Sequence, residues 1–296
     1  FLVFPLIACF LFLSLYLIRD WHPEHLTSQM QFSSQTLHQV WISIPVMVFA
    51  FSHTPIISTF AIDQQEKYGD LAMGKCKKIM KKVALILSGC GFKDGGEIYE
   101  ATLTMLALDE ADVAYQCFAP DMAQMHVVNH LTGEEMPESR NVLVEAARLS
   151  RGNVKPVTEA KVADFDALII PGGFGAAKNL CNFAVKGSDM SVQPDVLAFA
   201  QGMHQAGKPV GLVCIAPAMA PKIGGQGTHY TIGNDSGTAA AAIDAMGGVH
   251  VNCAVDDCVI DKERKIVTTP AYMYAARIRE ARAGIQKLVQ AVLALA

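Results

Sequence analysis

Pro209-Val210-Gly211-Leu212-Val213-Cys214-Ile215-Ala216-Pro217-Ala218 decides how this chain folds. An apolar run ends on a cysteine and passes through a short turn into an Ala-rich stretch of helical character. That is the layout of a nucleophile elbow, in which a reactive side chain stands on a sharp strand-to-helix turn at the carboxyl edge of a parallel sheet. A helix N-terminus behind the sulfur is expected to favour thiolate, because unpaired N–H groups and the macrodipole stabilise negative charge. A cysteine within an apolar strand is ordinarily a small core residue. Cys214 differs in being the last residue of its strand.

Outward from the elbow, strand and helix patterns alternate from Val83 to the end. VALILS at 83–88 and DALII at 166–170 are continuous apolar runs of the buried-strand type. The first leads into the Gly-rich loop 89–96 and a helix over 97–112. A second strand, 113–119, is followed by a polar loop over 122–139 and a helix over 140–149. The run at 166–170 ends in Pro171-Gly172-Gly173-Phe174-Gly175, and a helix over 193–206 stops at Gly207. Beyond Cys214 the pattern predicts a helix over 237–246, short strands near 249–251, 258–260 and 265–269, and an amphipathic helix over 273–295. Short apolar strands separated by helices predict an α/β fold: a doubly wound, mostly parallel sheet sandwiched by helices, flavodoxin-like in arrangement.

The first quarter reads differently. Residues 1–18 (FLVFPLIACFLFLSLYLI) are almost wholly apolar, at the lower limit of a membrane span. A second apolar run, 41–62, is broken by Pro45, His53 and Pro55. No basic stretch precedes the first run and no small-residue cleavage site follows it, which disfavours a signal peptide. The expected division is therefore 1–79, an N-terminal extension, and 80–296, the folded domain. Since Met80 stands just before the first convincing strand, the extension is expected to lie outside the working protein. If it is expressed, it is a membrane anchor, and Lys75, Lys77, Lys78, Lys81 and Lys82 would keep the domain on the cytoplasmic side.

The net charge of −4 comes with no basic stripe and no stacking platform, which argues against nucleic acid as a partner. The eight cysteines form no C-x-x-C pair and no His/Cys ligand spacing. They read as free thiols in a reducing, cytoplasmic compartment, without a disulfide frame or a metal site.

Ligands of open α/β sheets bind outside the carboxyl edge, so strand ends are where chemistry is expected. The first strand leads to Glu97 and Glu100, one helical turn apart and on a shared face. The run at 166–170 leads to Gly172-Gly173, and the next strand delivers Cys214. A thiol, backbone N–H donors on a Gly-rich turn and a carboxyl group together suit thiolate addition to a carbonyl. Gly172-Gly173 lacks the spacing of a dinucleotide fingerprint. No histidine follows Cys214. His130 and His126, in the long loop, are placed to close over a pocket; His204, His229 and His250 read as surface or structural residues. Asp235, after a strand over 230–233, is expected near the active edge, where it could orient a proton carrier.

KKVALILSGCG, Asp94-Gly95-Gly96-Glu97-Ile98-Tyr99-Glu100, ALIIPGGFGAAKNL and GLVCIAPA together resemble the ThiJ/PfpI class of glutamine amidotransferase-like proteins, in particular its isoprenoid-biosynthesis glyoxalase subgroup. The likeness runs from about Met80 to the C-terminus. It implies a class I glutamine amidotransferase-like fold with Cys214 as nucleophile and Glu100 as the protonated acid beside it. The oxyanion donors it implies are the backbone N–H groups of Gly173 and Ile215. It also implies a cofactor-independent and metal-free glyoxalase that turns glyoxal, and more weakly methylglyoxal, into a 2-hydroxy acid, with a small dicarbonyl as its partner and a homodimer as its assembly. The chain departs from PfpI-type hydrolases, which carry His where Ile215 stands. It also lacks the His-x-Glu pair of glutaminases after Cys214. Where some relatives have an active-edge histidine, this chain has Ile232-Gly233-Asn234-Asp235, so Asp235 is the candidate substitute. Two other functions stay open: a redox-sensing or regulatory binding protein using the same cysteine, and an amidotransferase-like partner subunit.

Overall fold

The computed structural model describes residues 81–234 and 237–296. The expectations placed on residues 1–79 and on Asp235 lie outside the described residues. The strands are β1 (Lys82–Ile86), β2 (Ala114–Ala119), β3 (Val154–Pro156), β4 (Ala167–Ile170), β5 (Val210–Val213), β6 (Thr228–Tyr230), β7 (Gly248–His250), β8 (Val259–Asp261) and β9 (Ile266–Thr269). Seven of them form one sheet in the order β3-β2-β1-β4-β5-β9-β8, parallel throughout except that β8 runs antiparallel to β9. The helices are α1 (Ile98–Glu110), α2 (Val142–Leu149), α3 (Phe183–Lys186), α4 (Pro194–Gln205), α5 (Ala220–Gly224), α6 (Thr238–Ala245) and α7 (Ile278–Leu295).

The central strands read as unbroken apolar runs because both faces of the sheet are covered. Successive side chains of a strand point to opposite faces. Ala84 and Ile86 of β1 therefore join Leu168, Ile170 and Leu212 in the layer packed by α4 and α5. Val83 and Leu85 join Ile169, Val213 and Val267 in the layer packed by α1, α2 and α7. Each fully buried Leu or Ile contributes about 1.5–3 kcal/mol of hydrophobic stabilisation. The helix ends follow their local chemistry. Glu97 caps α1 by accepting from the Glu100 N–H, and Gln193 caps α4 by accepting from the Val196 N–H ahead of Pro194.

Two expectations are corrected, and one strand, β3, is new. The last helix begins at Ile278, because Ala271–Met273 forms a separate 3-10 turn and Arg277 is extended. Its apolar stripe, which includes Ile285, Leu288 and Val292, is buried within this chain, with Leu288 and Val292 packed over Gly211. That face is therefore spoken for without a second subunit. The strand ahead of Asp235 is β6, which pairs with β7 in a separate two-stranded sheet and does not extend the main carboxyl edge. The edge strand β3 carries no apolar run. Its Val-Lys-Pro sequence is half-buried or exposed and ends in a proline that cannot donate to the ladder.

Candidate active site

Cys214 follows the last residue of β5 and has φ +63°, a left-handed conformation that non-glycine residues seldom adopt. Its N–H still donates to the Thr269 carbonyl of neighbouring β9 at 2.9 Å, so the sheet holds the strained residue in place. Such strain costs on the order of 1–3 kcal/mol and persists where the surroundings over-determine it. The chain beyond turns through a 3-10 segment, Ala216–Met219, before α5, which has five residues. The expected helix N-terminus behind the sulfur is thus replaced by a tight turn, with Pro217 in its first positions.

Glu100 projects from the first turn of α1 and is fully buried. Its carboxyl is gripped from two strand ends: Gly172 N–H donates to Oε2 at 3.1 Å and Tyr272 N–H donates to Oε1 at 3.1 Å. The Cys214 thiol is also within hydrogen-bonding reach of the carboxyl. Gly172 has to be a glycine. A Cβ there would lie 2.5 Å from Cys214 Cβ and 2.6 Å from Glu100 Oε2. Gly173, at φ +91°, passes against the backbone of Gly95-Gly96-Glu97. Its N–H and that of Ile215 both reach the Cys214 sulfur.

Burial, reinforced by the Glu97 carboxylate, raises the Glu100 carboxyl to about 8 despite the N–H groups and the thiol that favour its ionised form. Glu100 is therefore an acid that keeps its proton near neutrality. Burial first, and then repulsion from an ionised Glu100, push the Cys214 thiol well above its ordinary range. This overturns the expectation of a thiolate made by a helix terminus. A Cys214 thiolate depends on Glu100 holding its proton and on the Gly173 and Ile215 N–H groups, since each removes or offsets a cost of the negative sulfur.

The sequence therefore brings Cys214, Glu100, Gly173 and Ile215 to one point. His130 is not among them. Its Nδ1 lies 2.9 Å from the Val128 carbonyl, its Nε2 accepts from the Lys93 N–H at 3.3 Å, and its ring edge packs on Phe92. It fastens one loop to another at the same edge. His126 pairs with Glu135 at 3.3 Å. Among the described residues, no group of three or more His, Cys, Asp or Glu side chains is placed to hold a metal ion. No described helix is long and apolar enough to cross a membrane.

Two contributors escaped the sequence. Tyr272 acts through its backbone N–H, which carries no residue signature, from a strand end 172 positions away from Glu100. Asn179 sits in a π-helical turn, Ala176–Leu180, and donates to the Ser88 and Asp94 carbonyls at 3.0 Å each. It ties the loop after β1 to the loop after β4. The only signals were the Thr269-Pro270-Ala271-Tyr272 stretch closing an apolar run and the Asn just past a Gly-rich turn.

No protein-family model matches the chain. Over 224 residues it is 44% identical to the human mitochondrial glutamine amidotransferase-like class 1 domain-containing protein 3, which covers 72% of this chain and 83% of that protein. A crystal structure of an Ehrlichia chaffeensis isoprenoid biosynthesis protein with an amidotransferase-like domain superposes with a TM-score of 0.68. It is 39% identical and covers 73% of this chain and 99% of its own. A different kind of relative accounts for a shorter stretch. The inner membrane transport protein YqeG of Escherichia coli K12 is 72% identical over 87 residues, 29% of this chain and 21% of that protein.

Proposed function

Because the chain belongs to the glutamine amidotransferase-like class 1 superfamily, we propose that it is a cofactor-independent glyoxalase acting on glyoxal and, more slowly, methylglyoxal. One observation carries this proposal: a buried acid that keeps its proton near neutrality stands against a cysteine held at φ +63° and faced by two N–H donors. Cys214 first releases its thiol proton to solvent, and the thiolate Sγ adds to the aldehyde carbon. The carbonyl oxygen becomes an oxyanion beside the Gly173 and Ile215 N–H groups and takes the Glu100 proton, which leaves a hemithioacetal. The Glu100 carboxylate then removes the proton on the former aldehyde carbon. The enediol collapses as that proton returns to the adjacent carbon, giving a thioester. Water loses a proton to the Glu100 carboxylate as it cleaves the thioester, which restores the thiolate and the protonated acid and releases the 2-hydroxy acid, so that dicarbonyl plus one water balances product without oxidant or reductant.

The lack of a histidine beside Cys214 does not stall this route, since once the thiol is ionised one carboxyl gives and takes the protons of the cycle. An amidotransferase-like subunit is less well supported, because no His-x-Glu pair follows the cysteine. Cys90, Cys117, Cys181, Cys214, Cys253 and Cys258 are all free thiols, which suits a cytoplasmic setting. A homodimer belongs to the same proposal, on some face other than the buried stripe of α7.

The test is glycolate and lactate formation by the purified chain beside its Cys214→Ala and Glu100→Gln variants. Product made by the parent and lost in both folded variants supports the enzyme. Equal slow loss of dicarbonyl in all three proteins means only scavenging by surface side chains, and a redox sensor at Cys214 then becomes the better account.

A further inference from the structure

Beside the elbow, an open cavity of ≈ 260 Å³ is lined by Phe92, Lys93, Val128, Gly133, Phe174 and Lys178. Three loops build it, those after β1, β2 and β4, so it opens on the same carboxyl edge as Cys214. One of its walls is adjacent in the chain to the reacting centre. Phe174 follows Gly173, whose N–H reaches the sulfur, and the Phe174 N–H donates to the Phe92 carbonyl at 2.8 Å. Phe174 Cα lies within roughly 7.6 Å of Gly172 Cα, because two trans peptide steps cannot span more. The wall of the cavity is therefore close to the turn that faces Cys214.

The lining has an unusual balance. Phe92 and Phe174 are 44% and 50% exposed. Each carries an ammonium at its face: Lys93 Nζ lies 5.5 Å from the Phe92 centroid and Lys178 Nζ lies 5.5 Å from the Phe174 centroid. Lys178 also donates to the Lys93 carbonyl at 3.0 Å, which fixes its position and leaves the rest of its protons unspent. Among the described residues neither lysine has a carboxylate within salt-bridge distance, whereas the neighbouring Asp94 accepts from the Val128 N–H through Oδ2. Rings that cover an apolar body and ammonium groups that lack a counter-charge suit a small acid.

We propose that this cavity is an anion subsite, so that the preferred substrate is a 2-oxoaldehyde bearing a carboxylate at its far end. The carboxylate sits between Lys93 and Lys178, the carbon chain lies along Phe92 and Phe174, and the aldehyde reaches Cys214. The inference rests on the glyoxalase proposed above and adds its substrate class. With dioxovalerate the reaction is the same: thiol addition, proton transfer by Glu100 and hydrolysis convert oxoaldehyde plus one water into hydroxyglutarate.

Two measurements separate the subsite from the chemistry. Hydroxyglutarate binding is followed by calorimetry on the Cys214→Ala protein, with and without Lys93→Met/Lys178→Met and with Lys93→Arg/Lys178→Arg, and with inorganic phosphate as a comparison anion. The Met pair is expected to weaken hydroxyglutarate at least tenfold and the Arg pair to keep most of it, with phosphate binding more weakly than hydroxyglutarate. Kinetics with the cysteine intact then compare dioxovalerate with methylglyoxal. The ratio of their kcat/KM values is expected to fall at least tenfold in the Met pair and to recover in the Arg pair. Hydroxyglutarate binding that is absent or indifferent to the lysines overturns the subsite, and so does phosphate binding as tightly as hydroxyglutarate. Binding that depends on the lysines, with no turnover of either aldehyde, keeps the subsite and sinks the glyoxalase.

Discussion

Cys117 and Cys214 are both buried cysteines of one parallel sheet, yet only one has the surroundings of a nucleophile. Cys117 lies in the middle of β2 with extended backbone, paired in register with Leu85 and Val154. Burial alone raises its thiol to about 12. Cys214 is buried too, but it stands past a strand end at φ +63°, with two N–H donors and a proton-bearing carboxyl at its sulfur. Burial by itself makes an inert thiol. Reactivity needs the strand to stop, so that backbone donors from the next turns can face the side chain. Cavity size misleads here, because the larger opening, ≈ 570 Å³ and lined in part by Met105, Leu106 and Leu149, is the one beside Cys117.

The widest separation between the two is expected in activity. Cys214→Ala should lower kcat/KM at least about 10³-fold, some 4 kcal/mol of transition-state stabilisation. Cys117→Ala should stay within about twofold of the parent and cost about 1 kcal/mol of stability. Steady-state kinetics and thermal unfolding on both variants check this. A folded Cys117→Ala protein that is inactive would break the comparison outright.

Glycines beside the two cysteines sharpen it. Gly172→Ala drives a methyl into Cys214 Cβ, Glu100 Oε2 and the Val213 carbonyl, so it should cost about 3 kcal/mol and most of the activity. Gly152 lies beside the groove of Cys117 at φ +84° with nothing within 4 Å of its would-be Cβ. Gly152→Ala should cost about 1 kcal/mol from backbone conformation alone and leave kinetics unchanged. Comparable losses of activity in both would mean that the loss at Gly172 does not come from the crowding of Cys214 and Glu100.

How far the sequence could be read follows from the same physics. Apolar runs such as Val83 to Leu87 and Ala167 to Ile170 announce a two-faced sheet, and the elbow follows from its place at a strand end. The strand ends themselves leave Glu97 and Glu100, and Gly172 and Gly173, as alternatives; choosing Glu100 and the Gly173 N–H rests on the family resemblance. What stayed hidden depends on strand order. β9 joins the sheet beside β5 only in three dimensions, so nothing in Thr269-Pro270-Ala271-Tyr272 tells that its N–H will meet Glu100. The half-buried edge strand β3 has too little apolar surface to signal itself. The protonation of Cys214 was misjudged because an Ala-rich stretch suggests a helix, whereas Pro217 and close packing make a 3-10 turn there.

Titration distinguishes the two sites next. Glu100 has a folded value of about 8 against an ordinary 4.5. Below about 4.5 both folded and unfolded states hold the proton. Between there and about 8 only the folded state does, so stability falls as pH rises through that window and then levels off. From pH 6 to pH 7.5 the loss should be about 2 kcal/mol by denaturant unfolding. It should be absent from this source in Glu100→Gln, although that amide sets an NH2 group against one of the two N–H donors and lowers stability at every pH. Activity should fall as pH rises past about 8, as Glu100 loses its proton. Cys117, raised to about 12, contributes nothing in this range. Equal pH slopes in parent and Glu100→Gln would show that the carboxyl is ionised at neutrality.

The smallest effect is the one that isolates the backbone. At φ +63° any residue with a Cβ is strained, so Cys214→Gly should be more stable than Cys214→Ala by about 1 kcal/mol. For a domain of this size that is roughly 2–4 °C in Tm. In β2 the same pair should have the opposite sign, because glycine within an extended strand loses about 0.5–1 kcal/mol to alanine. Neither pair has a thiol, so chemistry drops out and only conformation is compared. A reversed or null difference at 214 would mean that the turn relaxes once the sulfur is gone. The contacts of the thiol with Glu100, Gly173 and Ile215, and not the sheet, would then be what holds the elbow in its strained form.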